Sequence, residues 1–147
     1  MTARETCKYF INCGANKGGD ILNFKESFAD KNTFNEYKVF AIEANPTLIP
    51  VLEERLAKSD NVKILNFAVS VTDKPINFYL GLTTTSSSIV KSKRTFMSNE
   101  EPITVNSLHF SKWIYENFSV DDEIILSMDI EGAEYDIMDE MFNDGTI

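Results

Sequence analysis

The sequence predicts an α/β fold, a parallel and doubly wound sheet that is covered by helices on both faces. Short apolar strands alternate with amphipathic helices along most of the chain, an order that favours right-handed strand–helix–strand crossovers. The strands have nearly uninterrupted apolar centres, which is typical of strands buried on both faces. Glycines follow the first strand where it turns into a helix. With 147 residues, we expect a single domain over residues 1–147.

The first half of the chain contains three predicted strands and two predicted helices. Residues 9–13 form the first strand, and apolar residues at helical spacing then predict a helix over residues 20–29. Residues 38–43 form the second strand. The helix that follows has Thr47 as its predicted N-cap, and residues 62–67 form the third strand.

The second half is less regular, because a polar segment interrupts the alternation of strands and helices. In order, the predicted elements are an extra strand (76–80), a polar loop (83–88), regular structure near residues 103–105, a helix (108–117), a fourth core strand (124–129) and a last helix that ends near Gly145.

Composition disfavours several classes of function. The net charge of −9 is opposite to the basic footprint of a protein that binds nucleic acid; the one basic cluster is Lys91, Lys93 and Arg94, which we interpret as a solvated loop. No segment approaches the ~20 apolar residues that cross a bilayer, and the first ten residues do not resemble a signal peptide. We therefore expect a cytoplasmic protein without a membrane partner, whose Cys7 and Cys13 are reduced thiols.

Residues at the predicted strand ends indicate a ligand site, because open α/β sheets bind ligands beyond the carboxyl ends of their strands. The first strand ends in a turn that contains Gly14, Gly18 and Gly19. The second ends in Glu43, whose carboxylate can accept hydrogen bonds from both hydroxyls of a ribose. Each feature has a structural alternative, a tight bend for the glycines and a solvated strand-end acid for Glu43, but together they are typical of an adenosine site.

The glycine spacing favours one adenosine cofactor over another. A dinucleotide requires G-x-G-x-x-G so that its pyrophosphate can lie at a helix N-terminus. Gly14, Gly18 and Gly19 do not have that spacing. S-adenosylmethionine carries no phosphate and does not require it, so the sequence favours this sulfonium cofactor over NAD.

Three carboxylates follow the fourth core strand, namely Asp129, Glu131 and Glu134. They could hold the sulfonium or the amine of the cofactor, or accept the proton of a substrate hydroxyl. An alternative is that they bind Mg²⁺, and for Glu131 and Glu134 another is that they stabilise a helix N-terminus. His109, the only histidine, is interpreted as a surface or capping residue.

Four segments in this order resemble the motifs of the FkbM family of methyltransferases. They are residues 10–18 (FINCGANKG), 39–46 (VFAIEANP), 66–70 (NFAVS) and 127–134 (SMDIEGAE). The resemblance implies a Rossmann-like class I methyltransferase sheet, S-adenosylmethionine as cofactor, and transfer to a hydroxyl of a sugar, a glycan or a secondary metabolite. This sequence differs from the family pattern at Asn12 (usually Asp), Ser127 (usually Lys) and His109 (usually Asp).

The resemblance also implies a role for each matching residue. The implied cofactor-binding residues are Asn12, Gly14, Asn16 and Gly18 for the methionine portion, Glu43 and Asn45 for the ribose, and Asn66 and Ala68 for the adenine. Asp129 and Glu131 would face the methyl group and the acceptor.

Class I methyltransferases have further strands after the one that ends here at Asp129, so we expect a sheet cut short after its fourth core strand. A fragment, a naturally short protein and a homo-oligomer or other partner that completes the sheet remain alternatives. The alternative function is a non-catalytic or partner-dependent binding module of the same fold.

Overall fold

A computed structural model describes residues 5–81, 89 and 101–147. The strands are β1 (Lys8–Cys13), β2 (Tyr37–Ile42), β3 (Val62–Leu65), β4 (Ala68–Ser70), β5 (Ile76–Phe78), β6 (Ile103–Val105), β7 (Ser107–His109) and β8 (Glu123–Met128). The helices are α1 (Gly19–Glu26), α2 (Lys31–Phe34), α3 (Ile49–Leu56), α4 (Phe110–Asn117) and α5 (Glu134–Asp144), with a 3₁₀ turn at Pro46–Leu48. The predicted loop at 83–88 and the basic cluster of Lys91, Lys93 and Arg94 lie outside the described residues.

The main sheet has four parallel strands in the order β3-β2-β1-β8. β1 lies in the middle, and its residue Lys8 is in register with Tyr37 of β2 and with Glu123 of β8. All four predicted core strands are confirmed, each shifted by no more than two residues at an end. β8 forms one edge of this sheet. The architecture is compatible with a Rossmann-like methyltransferase.

Helices cover both faces of the sheet, as the uninterrupted apolar strands predict. On one face, alternate residues of β1 pack against α4 and α5; the buried members of this cluster are Tyr9, Ile11, Cys13, Ile42, Val69, Phe110, Ile114, Ala133, Ile137 and Met141. On the other face the sheet packs against α1, α2 and α3, with Phe10, Ala15, Ile21, Phe34, Tyr37, Val39, Ala41, Leu52 and Leu56 buried. The two-residue period of β1 therefore divides the core between the layers.

Two further sheets have two strands each. β4 pairs in parallel with β7, and β5 pairs antiparallel with β6. Ala68, Phe78 and Val105 form a third buried cluster between them. The extra strand predicted at 76–80 is confirmed as β5. β4, β7 and the short helix α2 were not predicted, and β7 includes residues 108 and 109, which were predicted as helix.

Helix ends differ from the sequence prediction in three places. The helix predicted over 20–29 ends at Glu26, and the helix predicted over 108–117 begins at Phe110. Thr47 is not an N-cap: Asn45 holds that position, and its side-chain Oδ1 accepts hydrogen bonds from the backbone N and the Oγ1 of Thr47. Asparagine is the stronger cap because its carbonyl oxygen reaches the N–H two residues later. The C-cap of α5 is Gly145 in the left-handed conformation, as predicted.

Cys7 and Cys13 are both free thiols, and burial raises the pKa of the Cys13 thiol. Among residues 5–81, 89 and 101–147, no helix is both long and apolar enough to span a membrane.

Candidate functional site

A cleft of about 370 Å³ opens at the carboxyl ends of the main-sheet strands, the position at which open α/β sheets bind ligands. Its lining includes six of the residues predicted from the sequence. These are Gly14, Asn16, Glu43, Ala68, Asp129 and Glu131. The other four predicted residues, Asn12, Gly18, Asn45 and Asn66, lie next to the cleft without lining it.

The turn after β1 forms part of the cleft floor and requires glycine at position 14. Gly14 has φ +80°, and a Cβ placed on it would lie 2.0 Å from the backbone oxygen of Asp129. The backbone N–H groups of Gly14 and Ala15 both donate to the carbonyl of Ile42 at the end of β2. The absence of a side chain therefore lets the turns after β1, β2 and β8 meet.

Glu43 joins the ends of β1 and β2. Its Oε2 accepts a hydrogen bond of 2.8 Å from the backbone N of Asn16, and its Oε1 accepts one of 2.8 Å from the backbone N of Asn45. The residue is only 7% exposed, so the alternative of a solvated strand-end acid is wrong. Burial raises the pKa of the Glu43 carboxyl, and the backbone hydrogen bonds partly oppose that rise. Each carboxylate oxygen has a second lone pair, which leaves capacity for ligand hydroxyls.

Three of the neighbouring predicted residues make structural contacts. Gly18, at φ +80°, begins α1 and packs under Leu52, whose Cδ2 would lie 3.3 Å from an added Cβ. Asn45 caps the 3₁₀ turn that leads into α3. The Asn66 Nδ2 donates to the carbonyls of Glu43 and Ala44 at 2.8 and 3.2 Å. These residues shape the cleft by fixing the backbone around it, and their ligand contacts remain predictions.

The turn after β8 carries the predicted catalytic acids. Glu131 has φ +61°, which is uncommon for a residue other than glycine, and Gly132 follows at φ +116°. Glu134 holds this turn, because its Oε1 accepts from the backbone N of Ile130 at 2.8 Å and its Oε2 from the backbone N of Gly132 at 2.7 Å. Glu134 thus stabilises the turn and the start of α5, in agreement with its structural interpretation.

Asp20, which the sequence analysis did not select, also lines the cleft. Its Oδ2 accepts hydrogen bonds from the Nδ2 of Asn12 at 3.4 Å and from the Oγ of Ser127 at 3.3 Å. Asn12 and Ser127 are register partners on β1 and β8. The only sequence signal for Asp20 was a carboxylate in the first turn of the helix after the glycine turn, which is also common in helices without a site.

The cleft is chemically asymmetric. Carboxylates lie around the ends of β1, β2 and β8, where Asp20, Glu43, Asp129 and Glu131 outnumber the cationic Lys17 and Arg55. An apolar wall lies on the β4–β5 side, and it consists of Phe67, Ala68, Val69, Phe78 and Ile89. Such a cleft is complementary to a ligand with an apolar, aromatic end and a cationic end.

His109 does not line the cleft. His109 is the N-cap residue of α4, and its Nε2 lies 3.4 Å from the Oε1 of Glu140, in line with its interpretation as a surface or capping residue. Within the described part of the chain, no group of three or more His, Cys, Asp and Glu side chains could hold a metal ion.

The four-stranded parallel sheet is compatible with a Rossmann-like methyltransferase fold, and the cleft at its carboxyl edge is a candidate ligand site. The model of the methyltransferase FkbM domain matches residues 12–145, which confirms the resemblance found in the four motifs. Because that match covers most of the chain, the protein belongs to the FkbM family of methyltransferases. No curated protein and no solved structure matches it.

Proposed function

We propose that this protein transfers a methyl group from S-adenosylmethionine to a hydroxyl of a sugar, a glycan or a secondary metabolite. The observation that carries the proposal is the asymmetric cleft, with carboxylates on one side and an apolar wall on the other. S-adenosylmethionine has the matching asymmetry, because its adenine is flat and apolar while its sulfonium and ammonium are cationic. The net charge of −9 supports a small-molecule or glycan acceptor over a nucleic acid.

The residues present fit this cofactor. The apolar wall, which includes Ala68 and Phe78, would contact the adenine. Glu43 would accept the ribose hydroxyls, since its two oxygens are already held in place by backbone N–H groups. When bound, the cofactor supplies an electrophilic methyl group.

The protein's chemical contribution is to position the acceptor and to take its proton. Asp129 and Glu131 line the same cleft at the end of β8, and a carboxylate within hydrogen-bond distance of the acceptor hydroxyl can accept its proton. Positioning accounts for most of the acceleration in such a transfer, because a bound acceptor reacts from a fixed geometry. The well-held turns after β1 and β8 are suited to this.

The first test is calorimetric titration of the chain with S-adenosylmethionine, with S-adenosylhomocysteine and with NAD. We expect binding of the first two, no binding of NAD, and loss of binding in Glu43→Ala. Glu53→Ala on the exposed face of α3 is the matched control and should bind as the wild type does. Absence of binding to either sulfonium-derived ligand, by a chain shown to be folded, would refute the proposal.

The second test concerns the acids. Asp129→Asn and Glu131→Gln should keep their affinity for S-adenosylhomocysteine and lose about 10²- to 10⁴-fold in turnover on a hydroxylated acceptor. Unchanged turnover in both variants would show that neither residue accepts the proton.

A second candidate is a binding module of the same fold without catalysis, favoured by Asn12 and Ser127, which depart from the family pattern. The two candidates differ in one observable. The module would bind the cofactor and show no turnover on any hydroxylated acceptor.

A further inference from the structure

Asp20 is held by two side chains that belong to different strands. Asn12 of β1 and Ser127 of β8 lie side by side in register, and each donates a hydrogen bond to the same oxygen, Oδ2. Asp20 itself is exposed to the cleft that it lines. Because both hydrogen bonds go to Oδ2, the Oδ1 of Asp20 is the oxygen that a ligand can use.

The contact with Asp20 determines how the side chain of Asn12 is oriented. Asn12 is fully buried, and because an ionised carboxylate has no proton to donate, its amide must present Nδ2 to Asp20. The amide Oδ1 then has no hydrogen-bond partner in the described structure, at a cost of about 1–3 kcal/mol. The hydrogen bond to Asp20 therefore determines which end of the Asn12 amide faces the carboxylate.

The two residues that donate to Asp20 are both neutral. An ionised aspartate at position 12 could not donate to Asp20 and would place a second carboxylate next to it. A lysine at position 127 would form an ion pair with Asp20 and compete with a cationic ligand. With Asn12 and Ser127, the pair supplies two hydrogen bonds and no charge.

The order of the main sheet separates the residues that would contact the two ends of the cofactor. Along the order β3-β2-β1-β8, the wall residues Phe67 and Ala68 follow β3 in the chain, Glu43 follows β2, and Asp20 accepts from side chains of β1 and β8. An adenosine group with its base on the wall and its ribose at Glu43 would extend toward Asp20. In the proposed cofactor, the part that would then lie near Asp20 is the amino-acid portion, which carries an ammonium.

We propose that Asp20 binds the ammonium of the cofactor's methionine portion, and that Asn12 and Ser127 are the positioning residues for its carboxylate. This inference rests on the proposed cofactor. The carboxylate that would bind the ammonium thus lies in the first turn of α1.

The test compares two ligands that differ only in the group in question. S-adenosylhomocysteine carries the ammonium, and 5′-methylthioadenosine lacks the whole amino-acid portion. We expect Asp20→Asn to weaken binding of S-adenosylhomocysteine about 10- to 100-fold, as for loss of a charge-assisted hydrogen bond. Its affinity for 5′-methylthioadenosine should stay within about twofold of the wild type.

Three further variants complete the test. Glu26→Gln, at the other end of α1, is the matched control and should bind both ligands as the wild type does. Asp20→Glu keeps the charge and should retain more affinity for S-adenosylhomocysteine than Asp20→Asn. Ser127→Ala removes one positioning hydrogen bond. It should weaken binding of S-adenosylhomocysteine by a smaller factor, about twofold to fivefold, and leave the affinity for 5′-methylthioadenosine unchanged.

Each outcome separates the two proposals. If the wild type binds neither ligand, the proposed cofactor is wrong, and the role of Asp20 is wrong with it. If the wild type binds both but Asp20→Asn weakens both equally, or weakens neither, the cofactor stands and the ammonium contact is overturned. Should Asp20→Asn fail to fold, the same comparison in Asp20→Glu and Ser127→Ala decides between these outcomes.

Discussion

The turn after β1 and the turn after β8 are stabilised in the same way. Each contains a residue other than glycine in the left-handed conformation, Asn16 at φ +50° and Glu131 at φ +61°. Each is also held by one glutamate that accepts two backbone hydrogen bonds, Glu43 in the first case and Glu134 in the second. The two turns touch where Gly14 meets the carbonyl of Asp129.

They differ in where the glutamate comes from. Glu43 reaches Asn16 across 27 residues of sequence, and it is buried. Glu134 is half-buried and accepts from residues only two and four positions before it. The first turn is therefore fixed by the tertiary fold, whereas the second is fixed by the helix that it begins. A substitution in the first turn should therefore lower the stability of the whole domain, whereas one in the second turn should loosen only the residues around it.

The largest effect is expected where the two turns touch. Gly14→Ala would place a Cβ 2.0 Å from the Asp129 oxygen at a φ of +80°, and neither backbone can give way without moving a strand. We expect a loss of about 3 kcal/mol or more in the free energy of unfolding. Urea denaturation followed by the fluorescence of Trp113, the only tryptophan, measures it.

Gly19→Ala is the matched control, because Gly19 has no heavy atom within 4 Å of an added Cβ. It lies at the start of α1, so alanine should leave the stability unchanged or raise it by up to about 1 kcal/mol. Equal losses in the two variants would mean that the contact between the turns is not what requires glycine.

Glu43→Gln should come next in size. The amide has only one acceptor oxygen, so its NH₂ group would face a backbone N–H that Glu43 now satisfies. We expect a loss of about 2–4 kcal/mol in the same denaturation experiment. Glu53→Gln, on the exposed face of α3, should change stability by less than about 0.5 kcal/mol. A loss no larger than that of the control would contradict the role of Glu43 as the link between strands.

The burial of Glu43 is tested separately by comparing how the stabilities of the wild type and of Glu43→Gln depend on pH. Its folded pKa is raised above the ordinary value of 4.5, so its linked contribution to stability is fully present below pH 4.5 and is lost as pH rises through the folded pKa. The stability of the wild type should therefore fall relative to that of Glu43→Gln across this window. A relative rise would mean that hydrogen bonding outweighs burial and lowers the pKa.

Glu134→Ala should have a smaller and local effect. It leaves the N–H groups of Ile130 and Gly132 without their present acceptor, at a cost of about 1–2 kcal/mol because water can reach part of this turn. Amide hydrogen exchange should accelerate at residues 130–134 and stay unchanged at Gly14 and Asn16. Faster exchange in both turns would contradict their independence.

The smallest effect is expected for Glu131→Gly, since glycine adopts the left-handed conformation without strain. We expect a change within about 1 kcal/mol, in the stabilising direction. Turnover should nevertheless fall if Glu131 contributes to proton transfer. Asn16→Gly, the same change in the other turn, is the matched control for stability, and a clear loss of stability in Glu131→Gly would show that its side chain holds the turn.

The sequence predicted the layers well because strand periodicity and helix spacing are local signals. β1, β2 and β8 were expected almost at their observed bounds, and Gly145 ends α5 as predicted. The short helix α2 was missed because four residues show too little periodicity to be recognised. The cap position was predicted wrongly because a 3₁₀ turn, which the prediction did not include, precedes α3 and has Asn45 as its N-cap.

The site was predictable in its position more than in its contacts. The rule that ligands bind at strand ends located Gly14, Glu43 and Asp129 without any structure. The links that fix these residues span 27 residues for Glu43 to Asn16 and 107 for Ser127 to Asp20. No local pattern encodes such pairs, so the structural role of Glu43 and the presence of Asp20 became visible only in three dimensions.

The central position of β1 has a consequence for how the chain is made. One edge of β1 pairs with β2, but the other pairs with β8, and Cys7 receives its partner Asp122 only 115 residues later. At translation rates of about 5–20 residues per second, that edge waits roughly 6–23 s on the ribosome with apolar residues on both sides. The nascent chain therefore passes through a stage with an open strand edge that invites aggregation, and the cleft comes into existence only when β8 closes that edge.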